Sequence, residues 1–212
     1  TTHTVIRNKG KKPVTLESYY SSSLPIKGRS YLLTHFYGAW AREMQTAHTL
    51  LTPGVKSIDS KKGVRTTHSE NPSFMVTFDS GTFNENHGEV LAGALAWSGN
   101  FKLNFEVDDH EVLNIVAGIN PHAAAYALDK GQSFTTPEMI YTYSFEGAGG
   151  ASRNLHDCAR NYFMWNSKEY APTLLNRWDG ASFDFHAQTP PDIIDAAADT
   201  GLVFFVLDAG WL

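Results

Sequence analysis

Two residues that follow predicted strands could bind a sugar. Asp208 follows an apolar run near the end of the sequence, and Trp178 follows an earlier short strand. In parallel α/β sheets, ligands bind at the carboxyl ends of the strands. A carboxylate accepts hydrogen bonds from sugar hydroxyls, and an indole packs against the apolar C–H face of a sugar. Two structural alternatives stay open: Asp208 hydrogen-bonds its neighbouring loop, and Trp178 is a core residue.

The residues around these two positions have the pattern of a βαβ unit. Residues 173–178 predict a short strand, Thr189 is a candidate helix cap, and Gly201 is placed to end that helix. Residues 202–207 form an apolar run without alternation, which is typical of a strand covered on both faces in a parallel sheet. Because one βαβ unit cannot cover such a strand, we expect further strands and helices outside these 212 residues.

The chain from residue 4 to about residue 150 predicts an antiparallel β-sandwich. Residues 101–107 alternate between apolar and polar side chains, so one face of this strand must lie on a core. The apolar run 89–97 precedes it, and the short loop 98–100 between them predicts a hairpin. The further predicted strands are 4–8, 14–22, 31–37, 74–78, 113–119 and 139–143.

The hydrophobic period changes after residue 150, where apolar residues begin to recur at helical spacing. We predict Ser152 as the N-cap of this helix and the glycine-rich residues 147–150 as a hinge before it. The apolar stripe consists of Leu155, Cys158, Ala159, Tyr162 and Phe163. The sequence thus predicts a connecting helix between the sandwich and the βαβ unit.

Composition excludes several functional classes. The chain is 42% hydrophobic and carries a net charge of −5, which indicates a folded protein and argues against a nucleic-acid binder. It contains no apolar run of 18 residues, so we expect no membrane anchor. The single Cys158 and the absence of Asn-x-Ser/Thr sites favour a reducing cytoplasm.

The histidines do not suggest a metal centre. Nine are scattered along the chain without the spacing of a two-histidine helical site, and the chain has one cysteine. His68 and His87 lie in turn regions and are expected to hydrogen-bond within their loops. We therefore expect neither a metal ion nor a cofactor.

Several separated motifs resemble, in order, those of bacterial α-galactosidases of glycoside hydrolase family 36. The two stretches LLNRWDGASFDF (174–185) and FFVLDAGW (204–211) are similar to the start of the catalytic barrel in that family. Upstream motifs are similar to the later part of its N-terminal β-supersandwich. They include YLLTHFYGAWARE (31–43), WSGNF (97–101), GINP (118–121) and GQSFTTP (131–137).

The resemblance implies a mainly β fold with three parts. Residues 1–150 correspond to part of the β-supersandwich, residues 151–170 to a linker helix, and residues 171–212 to the start of a (β/α)8 barrel. The implied activity is the release of terminal α-linked galactose from oligosaccharides with retention, in a homo-tetramer. The nucleophile and the acid/base of that family come from later barrel strands. We therefore expect this chain to be inactive alone, as an internal piece of a longer α-galactosidase-like protein or a truncated relative of one.

The resemblance also assigns roles to individual positions. Asp208 matches the first acid of an Asp-Asp pair that hydrogen-bonds galactose, and Trp178 matches a tryptophan that lines the sugar subsite. Ala209 stands in place of the second acid, and residues 180–182 replace a bulkier segment, which predicts a wider pocket. We do not assign Asp184 and Asp208 as a catalytic pair.

Two other functions stay open at this point. One is a non-catalytic carbohydrate-binding or oligomerisation module, which the replacement by Ala209 favours. The other is an α-N-acetylgalactosaminidase of the same family, which the wider pocket favours.

Overall fold

The computed structural model describes residues 1–65, 68–78, 84–166, 168–178 and 189–208. The chain divides into two units, Thr1–Ala159 and Arg160–Leu212. The strands of the first unit are β1 (Val5–Arg7), β2 (Val14–Leu16), β3 (Ser22–Lys27), β4 (Tyr31–Gly38), β5 (Gln45–Leu51), β6 (Gly54–Asp59), β7 (Ser69–Phe78), β8 (Val90–Leu95), β9 (Phe101–Val107), β10 (Val112–Ile119), β11 (Tyr126–Leu128), β12 (Ser133–Thr135) and β13 (Met139–Ser144).

Two antiparallel sheets form the body of the first unit. One has the strand order β13-β8-β7-β4-β5, and the other has the order β3-β10-β9-β6. Two small antiparallel pairs, β1-β12 and β11-β2, accompany them. The predicted mainly β, antiparallel architecture is confirmed.

The main core contains side chains from both sheets. On β9 the apolar residues Phe101, Leu103 and Phe105 are fully buried, while Glu106 is exposed, which confirms the predicted alternation. Phe105 meets Phe74 of β7 edge-to-face, with 4.8 Å between ring centroids and 83° between ring planes. Such aromatic pairs add about 0.5–1.5 kcal/mol beyond the burial of their area. This contact joins the two sheets directly.

The predicted hairpin of residues 89–97 with residues 101–107 is wrong. β8 pairs with β7 and β13, whereas β9 pairs with β10 and β6, so the two strands belong to different sheets. The loop between them is folded on itself, because the Trp97 indole N–H donates to the Asn100 carbonyl at 3.1 Å. A five-residue connection is long enough to cross between packed sheets, which lie about 10 Å apart.

The other strand predictions agree with the structure to different degrees. β9 has the predicted bounds, and β1, β4, β10 and β13 lie within one residue of theirs. The predicted strand 14–22 is wrong as a single element, because β2 and β3 are separate strands in different sheets. β7 begins five residues before the predicted start at residue 74, and β5, β6, β11 and β12 were not predicted.

The predicted helix begins earlier than its apolar stripe indicated. Helix α1 spans Gly147–Cys158, so the prediction of Ser152 as its N-cap is wrong. The amides of Gly147, Ala148 and Gly149 donate to carbonyls of the loop 84–88, at 2.9–3.0 Å. Since these carbonyls satisfy the first amides of the helix, no capping side chain is needed. The glycine-rich segment is therefore a packed helical turn rather than a hinge.

Only part of the predicted stripe on this helix is covered. Leu155 packs against a small cluster formed by Val90, Ala92 and Ala151. Tyr162 lies in a π-helical turn, Ala159–Phe163, and is 81% exposed. Neither described helix of eight or more residues is long and apolar enough to cross a membrane.

The second unit contains the predicted strand, helix and strand. β14 (Leu174–Asn176) and β15 (Phe204–Val206) pair in parallel, and helix α2 (Thr189–Asp199) lies between them in the sequence. Helix α2 is followed by Gly201 with φ of 80°, as expected for a glycine at a helix end. We predicted that the second strand is buried on both faces, but the described residues do not cover it fully, since Phe204 is 52% exposed.

We expect Gly147→Ala to destabilise the first unit strongly. Gly147 has φ of 66°, and an added Cβ would overlap the Asn84 carbonyl and lie 2.7 Å from the His87 nitrogen. Left-handed strain together with overpacking against backbone corresponds to about 2–5 kcal/mol of unfolding free energy. Ser152→Ala should change it by less than about 0.5 kcal/mol, because Ser152 lies inside the helix. Urea unfolding measures both, and equal effects would contradict this account of the helix start.

We also expect Phe105→Ala to weaken the contact between the sheets. Phe105 is fully buried against Phe74, so its truncation leaves a cavity and should cost about 3–5 kcal/mol of unfolding free energy. The neighbouring exposed Glu106 is a control on the same strand, and Glu106→Ala should have little effect. A loss below about 1 kcal/mol for Phe105→Ala would show that this pair does not hold the sheets together.

Candidate functional site

The ends of β14 and β15 lie side by side in the second unit. Asn176, the last residue of β14, is paired with Val206, the last residue of β15. The Arg177 amide donates to the Val206 carbonyl at 3.2 Å and continues the pairing by one step. Because the strands are parallel, the residues that follow both strands emerge at the same edge. Trp178 and Asp208 are two of these residues, and both are half-buried.

One side chain joins the two predicted site residues. The Asn176 Nδ2 donates to Asp208 Oδ2 at 2.7 Å, and the Trp178 backbone N–H donates to Asn176 Oδ1 at 2.9 Å. The second contact is a local Asx turn, in which an asparagine accepts from the amide two residues later. The structure therefore brings Trp178 and Asp208 together through Asn176, a residue that sequence reasoning missed as a site residue.

The two contacts determine which way the Asn176 amide faces. A backbone N–H can only donate, so the atom that faces Trp178 must be the oxygen. An ionised carboxylate can only accept, so the atom that faces Asp208 must be the nitrogen. The short Asn176–Asp208 contact is a charge-assisted hydrogen bond, a class that contributes about 1.5–3 kcal/mol.

The arrangement suits a neutral, hydroxyl-rich ligand. A carboxylate is an acceptor for hydroxyl groups, and an indole ring offers an apolar face. Of the two acids considered for the site, Asp208 is in a described range, while Asp184 lies outside the described residues. Ala209 and the segment 180–182, on which the wider pocket was predicted, also lie outside the described residues.

The histidine predictions concern the first unit. The His87 ring Nε2 is hydrogen-bonded to Asn84 Nδ2 at 3.2 Å within its loop. The His68 amide donates to the Arg65 carbonyl at 3.2 Å, while the His68 ring is 3.8 Å from Glu43 Oε1, too far for a hydrogen bond. Over the described ranges, no group of three His, Cys, Asp or Glu side chains is arranged to hold a metal ion.

Comparison with protein families covers nearly the whole chain. Residues 1–129 match the model of the glycosyl hydrolase family 36 N-terminal domain. The chain belongs to glycosyl hydrolase family 36. Residues 133–212, which include both strand ends of the site, match the melibiase family model. The family resemblance expected from the motifs is confirmed.

Individual relatives agree with the family model. The chain is 32% identical to the alpha-galactosidase AgaA of Geobacillus stearothermophilus over 96% of the chain and 28% of that enzyme. It is 31% identical to the bifunctional alpha-galactosidase/sucrose kinase AgaSK of Mediterraneibacter gnavus, covering 97% of the chain and 22% of that protein. The chain thus spans between a fifth and a third of the length of these relatives.

Solved structures of the family share the fold of the chain. The crystal structure of the Geobacillus stearothermophilus AgaA aligns with a TM-score of 0.91 at 32% identity, over 98% of this chain and 29% of that one. A variant of the same enzyme in complex with stachyose aligns equally well, with a TM-score of 0.91. The alpha-galactosidase from Lactobacillus brevis aligns with a TM-score of 0.88 over 98% of this chain and 28% of that one.

Proposed function

We propose that this chain is part of a glycoside hydrolase that releases terminal α-linked galactose from oligosaccharides. The observation that carries the proposal is the match to alpha-galactosidases along nearly the whole chain, in both sequence and fold. The proposed organisation assigns residues 1–150 to part of the β-supersandwich, 151–170 to a linker helix and 171–212 to the start of the (β/α)8 barrel.

In the proposed enzyme, this chain supplies substrate-binding residues rather than the catalytic pair. Asp208 would accept hydrogen bonds from sugar hydroxyls, and Trp178 would pack against the sugar ring. A retaining glycosidase needs two carboxyl groups about 5–5.5 Å apart, one as nucleophile and one as acid/base. We place both outside these 212 residues, on later strands of the barrel.

The replacement of an acid by Ala209 affects the proposed galactose contacts. Losing one charge-assisted hydrogen bond removes about 1.5–3 kcal/mol of binding free energy. The galactose end would then be bound less tightly than by a site with two acids. A substrate profile that includes α-N-acetylgalactosaminides tests whether this replacement accompanies a different sugar preference.

The proposed setting of the enzyme follows from composition and from the family. We place it in the cytoplasm, since the chain has one cysteine and no Asn-x-Ser/Thr site. We propose a homo-oligomer, with a galactoside or oligosaccharide as ligand and neither nucleic acid nor membrane as partner. The acidic balance of the chain supports the absence of a nucleic-acid partner.

The central test compares the 212-residue chain with the protein extended to its full reading frame. We expect the extended protein to hydrolyse an aryl α-galactoside with retention and the 212-residue chain alone to be inactive, because the catalytic pair is absent from it. Activity of the short chain would refute the placement of that pair. Galactose binding without hydrolysis by the extended protein would instead identify a non-catalytic carbohydrate-binding module.

A second test concerns the proposed sugar contact of Trp178. In the extended protein, Trp178→Ala should lower the affinity for galactose at least about fivefold, since removing a packed indole costs more than about 1 kcal/mol. Trp165→Ala is the control, because Trp165 belongs to the same unit and is 96% exposed. Calorimetric titration measures both affinities, and equal losses in the two variants would contradict a specific contact of Trp178 with the sugar.

A further inference from the structure

We propose that Asn176 is a positioning residue, whose amide fixes the Asp208 carboxylate and the Trp178 main chain in one geometry for sugar binding. The inference rests on the proposed function, because it concerns the same site. Its physical basis is the pair of hydrogen bonds at 2.7 Å to Asp208 and 2.9 Å from Trp178. These bonds involve opposite ends of one planar group.

A planar amide makes the two contacts interdependent. The nitrogen and oxygen of Asn176 are held at a constant separation, so a rotation that improves one hydrogen bond also moves the other. Asp208 lies beyond the end of β15, where strand pairing no longer holds the main chain. The bond from Asn176 is therefore an anchor between the Asp208 side chain and the end of β14.

The local alternative is that Asn176 only forms the turn that ends β14. Asn and Asp both form Asx turns, because each accepts a hydrogen bond from the amide two residues later. Toward Asp208, however, an aspartate has no donor and adds a second negative charge. Asn176→Asp consequently preserves the turn and removes the contact with Asp208, which separates the two roles.

The kinetic test uses Asn176→Asp in the extended protein with an aryl α-galactoside as substrate. We expect kcat/KM to fall at least tenfold, with most of the loss in KM, because Asp208 would bind the sugar similarly in the ground state and the transition state. Asn154→Asp is the matched control, since it adds the same charge at an exposed asparagine whose Nδ2 donates to Thr142. It should leave both constants within twofold of the wild type.

Two kinetic outcomes would overturn the inference. One is a KM of Asn176→Asp within twofold of the wild type, which would mean that Asn176 serves only the turn. The other is an equal loss in Asn154→Asp, which would trace the effect to charge alone. Inactivity of the extended wild-type protein would refute the proposed function instead, and the spectroscopic test below would then decide the inference about Asn176.

The spectroscopic test needs no activity and uses the extended protein labelled with 15N-asparagine. One N–H of the Asn176 side chain should resonate at low field and exchange slowly, because it donates to a carboxylate. Both properties should disappear in Asp208→Ala, while the side-chain signals of Asn154 should not change. An Asn176 side chain with the shifts and exchange of a solvated amide in the unsubstituted extended protein would overturn the inference.

Discussion

The parallel pairing of β14 with β15 is the constraint on which the candidate site depends. Residues 174 and 204 are 30 positions apart, yet the pairing places their strands side by side and in the same direction. Parallel neighbours need a crossover connection, and helix α2 lies within it. The pairing brings the two strand ends to one edge, where Asn176 can reach Asp208. Without this register, Asp208 would be remote from Asn176 and Trp178.

The two units reach burial in different ways. In the first unit, two antiparallel sheets cover each other, so residues such as Leu33 and Leu103 become fully buried by their own chain. In the second unit, the described apolar strands keep substantial exposure, as at Leu174 and Phe204. Parallel strands are normally covered on both faces by helices. A barrel completed by further elements, as proposed for the full enzyme, would provide that cover.

The hydrophobic periodicity of the sequence correctly predicted those elements in which one face is buried and the other is exposed. The alternation of apolar and polar residues in 101–107 was sufficient to predict β9, because one face of this strand is more buried than the other. The sequence QTAHTLL of β5 lacks a clear period, since this strand lies at a sheet edge and is largely exposed. The choice of partner for β8 depends on strands distant in sequence, so the short loop after it misled the hairpin prediction. The start of α1 depends on carbonyls of residues 84–88. Because these residues are distant in sequence, the periodicity of the helix could not predict where it begins.

The candidate site was predictable only in part, because some of its residues are marked by local sequence and one depends on strand pairing. Trp178 and Asp208 follow strands, and this position alone marks them as candidates. The proposed role of Asn176 depends on the register between two strands, which the sequence alone does not reveal. The signal that could have pointed to it is a lone amide at the end of an apolar strand.

The glycine-rich start of α1 links the evolution of two segments that are far apart in sequence. At Gly147 and Gly149, an added Cβ would come within 3 Å of backbone atoms in the loop 84–88. A larger residue at either position is therefore tolerated only if that loop is reshaped at the same time. Substitutions in the two segments should be strongly non-additive, and homologues that lose these glycines should differ in the loop as well.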